Sequence, residues 1–457
     1  MNQPALKLST ATTPVTQPLA QFAAQLQYAQ IPQPVLRVAR HCLLDWFAVT
    51  LAGSKTDTTQ MLREVTLTDN EAIQASLIGG PGRTSAANAA LINGTAGHAL
   101  DYDDVHYALP GHPTAAIAPA LIAFAEHQAV NGSELLCALV AGVEIASRSG
   151  LFMTRQHYLH GWHSTGTVGA FGATTAVARC MNLDAQTTAL AMGITATQMG
   201  GLKSMFGTMC KPLHAGKAAA NGLLGAQLAA RGFTTRDDVL ECEQGYGEVA
   251  STQIDPQAAL AGLGESFQIR DVLFKYHAAC YGTHACIEAT RKLVREQTIT
   301  EKQIESIEVT IPSRNLRVCN ISHPSTGLEA KFSLRLTCAM ALCGESTTDI
   351  HNFTDQLCRK PELTQLLDRI KVIGSDTAKD ATCVLKVHMR NGREFEINTN
   401  AGIPAQDLEQ QEQRLLKKFQ ALASPVIGHH LSEDLAQMLL NLDELNDIRS
   451  LMALTRG

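Results

Sequence analysis

The sequence predicts a mainly α protein: a large all-helical domain, discontinuous along the chain, with a smaller α+β domain inserted into it. Three observations carry this. Through the first 265 residues, apolar positions recur at three- and four-residue steps and almost never alternate. From 266 to 400 the texture changes to short alternating, β-branched runs. After Pro404 the helical spacing returns. The domains are therefore expected at 1–265 plus 401–457, and at 266–400. A chain of 457 residues fits that division, because single cores stop growing beyond about 250–300 residues.

Taken in order, residues 1–20 are rich in Thr, Pro and Gln and read as a loose arm. A helix opens at Pro34, a good first helical residue, and carries Val35, Val38, Cys42, Trp46 and Val49 to a stop at Gly53. Further helices are expected at about 85–100, 114–130, 134–150, 165–181, 185–200 and 212–231, the last capped by Gly232. In the inserted segment, 305–312 and 367–373 read as strands. Residues 383–389 and 394–397 read as a hairpin whose Asn391-Gly392 pair favours a type I′ turn. Helices are expected between them at 281–296 and 330–344, and after them at 406–422 and 431–446.

Composition narrows the function. With 45% hydrophobic and 18% charged residues, wholesale disorder is excluded. A net charge of −6 and the lack of a basic stripe argue against a nucleic-acid or membrane surface. The N-terminal stretch lacks the pattern of a secretory signal. The most apolar run, 114–126, is too short to span a bilayer and holds a proline. The twelve cysteines are scattered singly, with no C-x-x-C, and read as reduced thiols acting as small hydrophobes. A soluble, cytoplasmic protein is expected. No zinc-ligand spacing is present.

Four segments carry chemistry. Residues 97–113 (GHALDYDDVHYALPGHP) hold Asp101, Asp103 and Asp104 with His98, His106 and His112. Acids beside histidines either ligate a metal or tune imidazoles for proton transfer. Residues 157–169 (HYLHGWHSTGTVG) place His163 before Ser164 and Thr165, candidate caps of a helix whose free N–H groups suit a carboxylate. Residues 201–216 (GLKSMFGTMCKPLHAG) set Lys211 before Pro212, with Lys203 and His214 nearby; a lysine here can hold charge that develops on a substrate. Residues 274–288 (FKYHAACYGTHACIE) carry His277 and His284. Each has an ordinary structural reading when taken alone. Together, and without G-x-S-x-G, G-x-G-x-x-G or H-E-x-x-H, they form a His/Asp/Lys set suited to acid–base chemistry on an anionic substrate.

The same segments resemble the MmgE/PrpD family. The resemblance runs from about residue 20 to 450 and rests on 98–113, 161–173 (GWHSTGTVGAFGA), 207–222 (GTMCKPLHAGKAAANG), 275–289 (KYHAACYGTHACIEA) and 329–342 (EAKFSLRLTCAMAL). It implies a helical domain with a smaller α+β lid, a homodimer, and neither metal nor organic cofactor. By motif, the catalytic set it implies is Asp101, His112, His163, Lys211 and the lid residue His284. Asp104, Lys203, His106 and His277 are expected to contact substrate. Val105, His277 and the Arg335-Leu336 pair depart from the decarboxylase pattern of the family.

The expected function is that of a cofactor-independent lyase on a small di- or tricarboxylate, as a 2-methylcitrate-type dehydratase. Decarboxylation of cis-aconitate and epimerisation of an iminodisuccinate-type substrate are the alternatives. A helical oligomer that only binds carboxylates is the non-enzyme reading.

Overall fold

The computed structural model describes residues 13–67 and 72–456. The chain divides into two compact units: the residues up to Val272 with those from Ala423 onward, and Leu273–Leu422. The return to the first unit falls inside one helix, Leu408–Ile427, and not at the Pro404 boundary that composition marks. The helix spacing runs through that crossing without a break, so no local signal shows it.

The first unit is helical. Its main helices are Gln33–Gly53, Ala86–His98, Pro113–Gln128, Gly132–His160, Val168–Cys180, Ala185–Ala196 and Cys210–Ala229. Its only strands among the described residues are a two-residue pair, β1 (Ala75–Ser76) and β2 (Arg83–Thr84). The arm expected over 1–20 differs: residues 1–12 lie outside the described ones, and a helix spans Thr16–Gln25. A distant residue caps it. The buried Glu241 carboxylate accepts from the Val15 N–H at 2.8 Å and the Thr16 N–H at 3.1 Å. That partner is remote in sequence, and the local composition carries no trace of it.

Helix Gly132–His160 continues past the expected stop at 150, across a break at Thr154 (φ 52°). By length and hydropathy it could cross a membrane, unlike the 114–126 run singled out from the sequence, yet 94% of its apolar window is buried inside the fold. It also carries a buried ion pair, Arg148 Nε to Glu144 Oε1 at 2.6 Å. The Arg148 Nη1 also donates to the carbonyls of Ala259 and Ala261, while its buried Nη2 has no hydrogen-bond partner.

Small residues let two helices approach backbone to backbone. A Cβ on Gly216 would lie 2.2 Å from the Leu91 carbonyl oxygen, and one on Gly94 would lie 2.8 Å from Gly216 Cα. Gly94 stands four residues before His98, and Gly216 five after Lys211. The contact thus holds the end of helix Ala86–His98 beside the start of helix Cys210–Ala229.

The second unit holds a four-stranded mixed sheet of β3 (Ile304–Pro312), β4 (Ile370–Ser375), β5 (Thr382–Met389) and β6 (Glu394–Asn400), in the order β4-β3-β5-β6. β3 pairs in parallel with β4 and antiparallel with β5. Helices Tyr281–Gln297 and Leu334–Leu342 belong to this unit. The β5–β6 turn is not type I′, which needs positive φ at both central residues. Only Gly392 of the Asn-Gly pair has it (+84°). The Met389 N–H bonds Arg393 O and the Gly392 N–H bonds Met389 O, which makes a longer loop with the glycine at its left-handed position.

Candidate active site

Four turns of the first unit converge. Ser85 starts the first helix by accepting the Asn88 N–H, and the helix ends at His98. The chain then reverses at Asp101, which has φ +50°, a value that Asp tolerates better than most residues. Asp103 and Asp104 follow, both 1% exposed. His112 is the N-cap of helix Pro113–Gln128, and its N–H bonds Thr165 Oγ1 at 3.0 Å. The His163 N–H bonds Gly201 O at 2.9 Å. Lys211 lies in the first turn of helix Cys210–Ala229.

The side chains meet in a cluster. Lys211 Nζ donates to Asp101 Oδ1 at 2.6 Å. His112 lies between two carboxylates, with Nε2 3.7 Å from Asp101 Oδ1 and Nδ1 3.2 Å from Asp103 Oδ2. His98 Nδ1 meets the same Asp103 oxygen at 2.8 Å. The His98 ring is 4.4 Å from that of His112 and stacks 5.6 Å from that of His163. His163 Nδ1 faces His214 Nδ1 at 3.0 Å. Asp101 is the open member, its side chain 42% exposed, against 10% for His112 and 14% for Lys211.

Burial and charge divide the protonation states. Burial pushes His98 down to about 4, against the pull of Asp103. Burial also holds His163 well below the usual imidazole range, helped by the charges of His98 and Lys211. His214 is lowered by burial and then by Lys211. For Asp103, burial works upward, but His112 and His98 outweigh it and keep the carboxyl well below its ordinary value. At neutral pH the cluster therefore holds a buried carboxylate, neutral imidazoles at 98 and 163, and a lysine.

Of the catalytic set, Asp101, His112, His163 and Lys211 thus come together. His284 lies in the second unit, buried, with Nε2 3.2 Å from Ala279 O and its ring 5.0 Å from that of His277. The expected substrate contacts fare differently. Asp104 accepts a short hydrogen bond from the Thr114 hydroxyl in the first turn of the helix headed by His112. Burial, with Asp45 and Asp103 adding to it, raises its carboxyl well above the usual range. Its Oδ2 holds a helix start, while its buried Oδ1 has no hydrogen-bond partner. His106 Nδ1 accepts from the Ala108 N–H and its Nε2 donates to Gln268 O, which fastens a loop. Lys203 donates to Tyr158 O at 2.9 Å and sits 3.8 Å over that ring. His277 spends its nitrogens on Thr347 and Glu288. His106, Lys203 and His277 have thus found partners within the fold, which residue type alone does not reveal.

The helix start expected at Ser164–Thr165 also differs. The helix begins at Val168, and the N–H groups of Gly166 and Thr167 turn onto His163 O. Sequence reasoning left out His98, Asp103 and His214 as site residues. The first two sit inside the same acidic, histidine-rich run as Asp101, and that density was the available signal. His98, Asp101, Asp103 and His112 offer ligand atoms within 4.8 Å of one another, a set that could hold a cation. Lys211 already places a positive charge on Asp101 there.

The MmgE/PrpD N-terminal domain matches residues 17–259, and the MmgE/PrpD C-terminal domain matches 277–444. The chain belongs to the MmgE/PrpD family. It is an enzyme of lyase type. It is 26% identical to the cis-aconitate decarboxylase of Homo sapiens over 97% of this chain and 95% of the relative. It is 25% identical to that of Aspergillus terreus over 98% and 96%. A cis-aconitate decarboxylase-like protein, oryM, of Aspergillus oryzae is 33% identical over 303 residues, which is 63% of each chain. In this MmgE/PrpD chain two of the three departures noted in sequence have their places within the fold. Arg335 bonds Ile370 O and Asn320 Oδ1, Leu336 is fully buried, and His277 is held as described.

Proposed function

We propose that this enzyme decarboxylates cis-aconitate to itaconate, using its own side chains to hold charge and move the proton. The full-length relatives favour this over the methylcitrate-type dehydration expected from sequence. The carrying observation is the cluster itself, Lys211 on Asp101 and His98 and His112 on Asp103, with His163 stacked beside His98.

The chemistry asks little more. The C–C bond to the carboxylate on the saturated arm breaks, and CO2 leaves without its bonding pair. That pair forms a new terminal double bond, and the original double bond shifts its electrons to the far carboxylate-bearing carbon. A proton added at that carbon gives itaconate. Lys211 and His163 hold the carboxylates through which negative charge spreads. His112, between Asp101 and Asp103, supplies the proton. Asp101 holds both Lys211 and His112 in register.

Proton NMR of the enzyme with cis-aconitate in D2O tests this. The expected product is itaconate with one deuterium on its methylene carbon. New vinyl signals from 2-methylcitrate, with cis-aconitate inert, would establish a dehydratase instead. Exchange at an α-carbon of iminodisuccinate without net conversion would establish an epimerase. Tight citrate binding with no turnover would leave a carboxylate-binding protein. Activity that is lost on chelation and restored by a metal would overturn the metal-free mechanism.

A further inference from the structure

One member of the cluster, His214, has no place in that mechanism. His163 and His214 meet Nδ1 to Nδ1 at 3.0 Å. A ring nitrogen either donates or accepts, so one ring must carry its proton on Nδ1 and the other must leave Nδ1 bare. In two neutral rings this decides both ends. The donor ring has a lone pair at Nε2, and the acceptor ring has an N–H there. Both rings are held below the ordinary imidazole range by burial, with Lys211 adding to it.

The surroundings are shaped around the pair. Gly201 (φ +141°) accepts the His163 N–H, and a Cβ on it would stand 3.3 Å from Cγ and Nδ1 of His214 and 3.5 Å from His163 Cβ. A Cβ on Gly166 would fall 2.9 Å from His214 Cβ. Phe206 closes on His163 edge to face, at 5.0 Å and 84°.

We propose that His214 is a positioning residue that donates from Nδ1 to His163 Nδ1 and so fixes His163 with its proton on Nε2. The direction follows from the ligand. An Nε2–H attracts a carboxylate oxygen, and a lone pair there repels it. The inference rests on the carboxylate-substrate reading above. Residue 214 itself touches no substrate in this role; it sets the tautomer of a neighbour that does.

The test uses protein labelled with 15N-histidine and long-range proton–nitrogen correlation, with His163 assigned by its loss in His163→Gln. Wild type should show His163 bare at Nδ1 and protonated at Nε2, with His214 the reverse. His214→Asn, whose amide can donate at the same place, should keep that pattern. His214→Leu should let the two His163 tautomers mix. The Leu variant should lower kcat/KM for cis-aconitate about tenfold, the worth of one hydrogen bond to a charged group. The Asn variant should restore it. A wild-type His163 protonated on Nδ1, or a His163 pattern untouched by His214→Leu, would overturn the proposal. A wild type inert toward cis-aconitate would sink the decarboxylase reading instead, and the ring-nitrogen pattern would still decide the role of His214.

Discussion

Replacing Lys211 by methionine removes the cation of the cluster and keeps most of its stem. The attraction across the 2.6 Å contact to Asp101 falls from about 6 kcal/mol at an effective dielectric of 20 to about 1.6 kcal/mol at 80. The Asp101 side chain is 42% exposed, so solvent screening puts the pair near or below the lower figure. The loss in folding stability should therefore be on the order of 1 kcal/mol, a few degrees or less in Tm for a protein of this size. Catalysis should suffer far more. A preorganised charge aimed at a developing anion contributes about 3–4 kcal/mol, so the rate should drop about 10²–10³-fold. Itaconate formation by NMR and the melting curve are measured on the same sample. A variant within about threefold of the wild-type rate, or one that loses ten degrees in Tm with a proportionate loss of activity, would refute the reasoning and make Lys211 a structural residue.

Gly216→Ala should destabilise by about 1–3 kcal/mol or more, because its Cβ meets the Leu91 carbonyl at 2.2 Å with backbone on both sides; urea unfolding checks it, and an unchanged midpoint would contradict the close approach. Acid should weaken the fold through its buried histidines. Burial holds His157 at about 4, as it does His98, against an unfolded value near 6.5. The unfolded chain therefore binds more protons in that interval, and stability is full above 6.5 and lost as pH falls toward 4. His157, bonded to Ala250 O and Thr167 Oγ1, should account for part of that slope. His157→Gln should flatten Tm against pH between 6.5 and 4, and parallel curves would refute the assignment.

Much of the architecture was legible because helix signals are local. Pro34, Pro113 and Pro212 sit in first helical turns, and Gly232 has the left-handed φ (+79°) expected just past a helix end. The β-branched run at 304–312 is a strand whose burial alternates along most of its length. What escaped notice had distant causes. The cap on Thr16–Gln25 comes from Glu241, and the crossing between units falls inside a continuous helix.

The helical character of the first unit, the strands of the second and the clustering of His, Asp and Lys in a few glycine-rich turns are readable along the chain. They follow from periodicity, turn chemistry and residue type, which act over a handful of positions. Which polar side chains face one another depends instead on tertiary packing. His106, Lys203 and His277 have the right chemistry for a substrate site, yet partners within the fold bond them. His98, Asp103 and His214 looked incidental and stand in the cluster. The reason is the cost of burying an unpaired polar group. Each such side chain takes whatever partner the packing brings within about 3 Å, and that partner is set by the three-dimensional approach of distant segments.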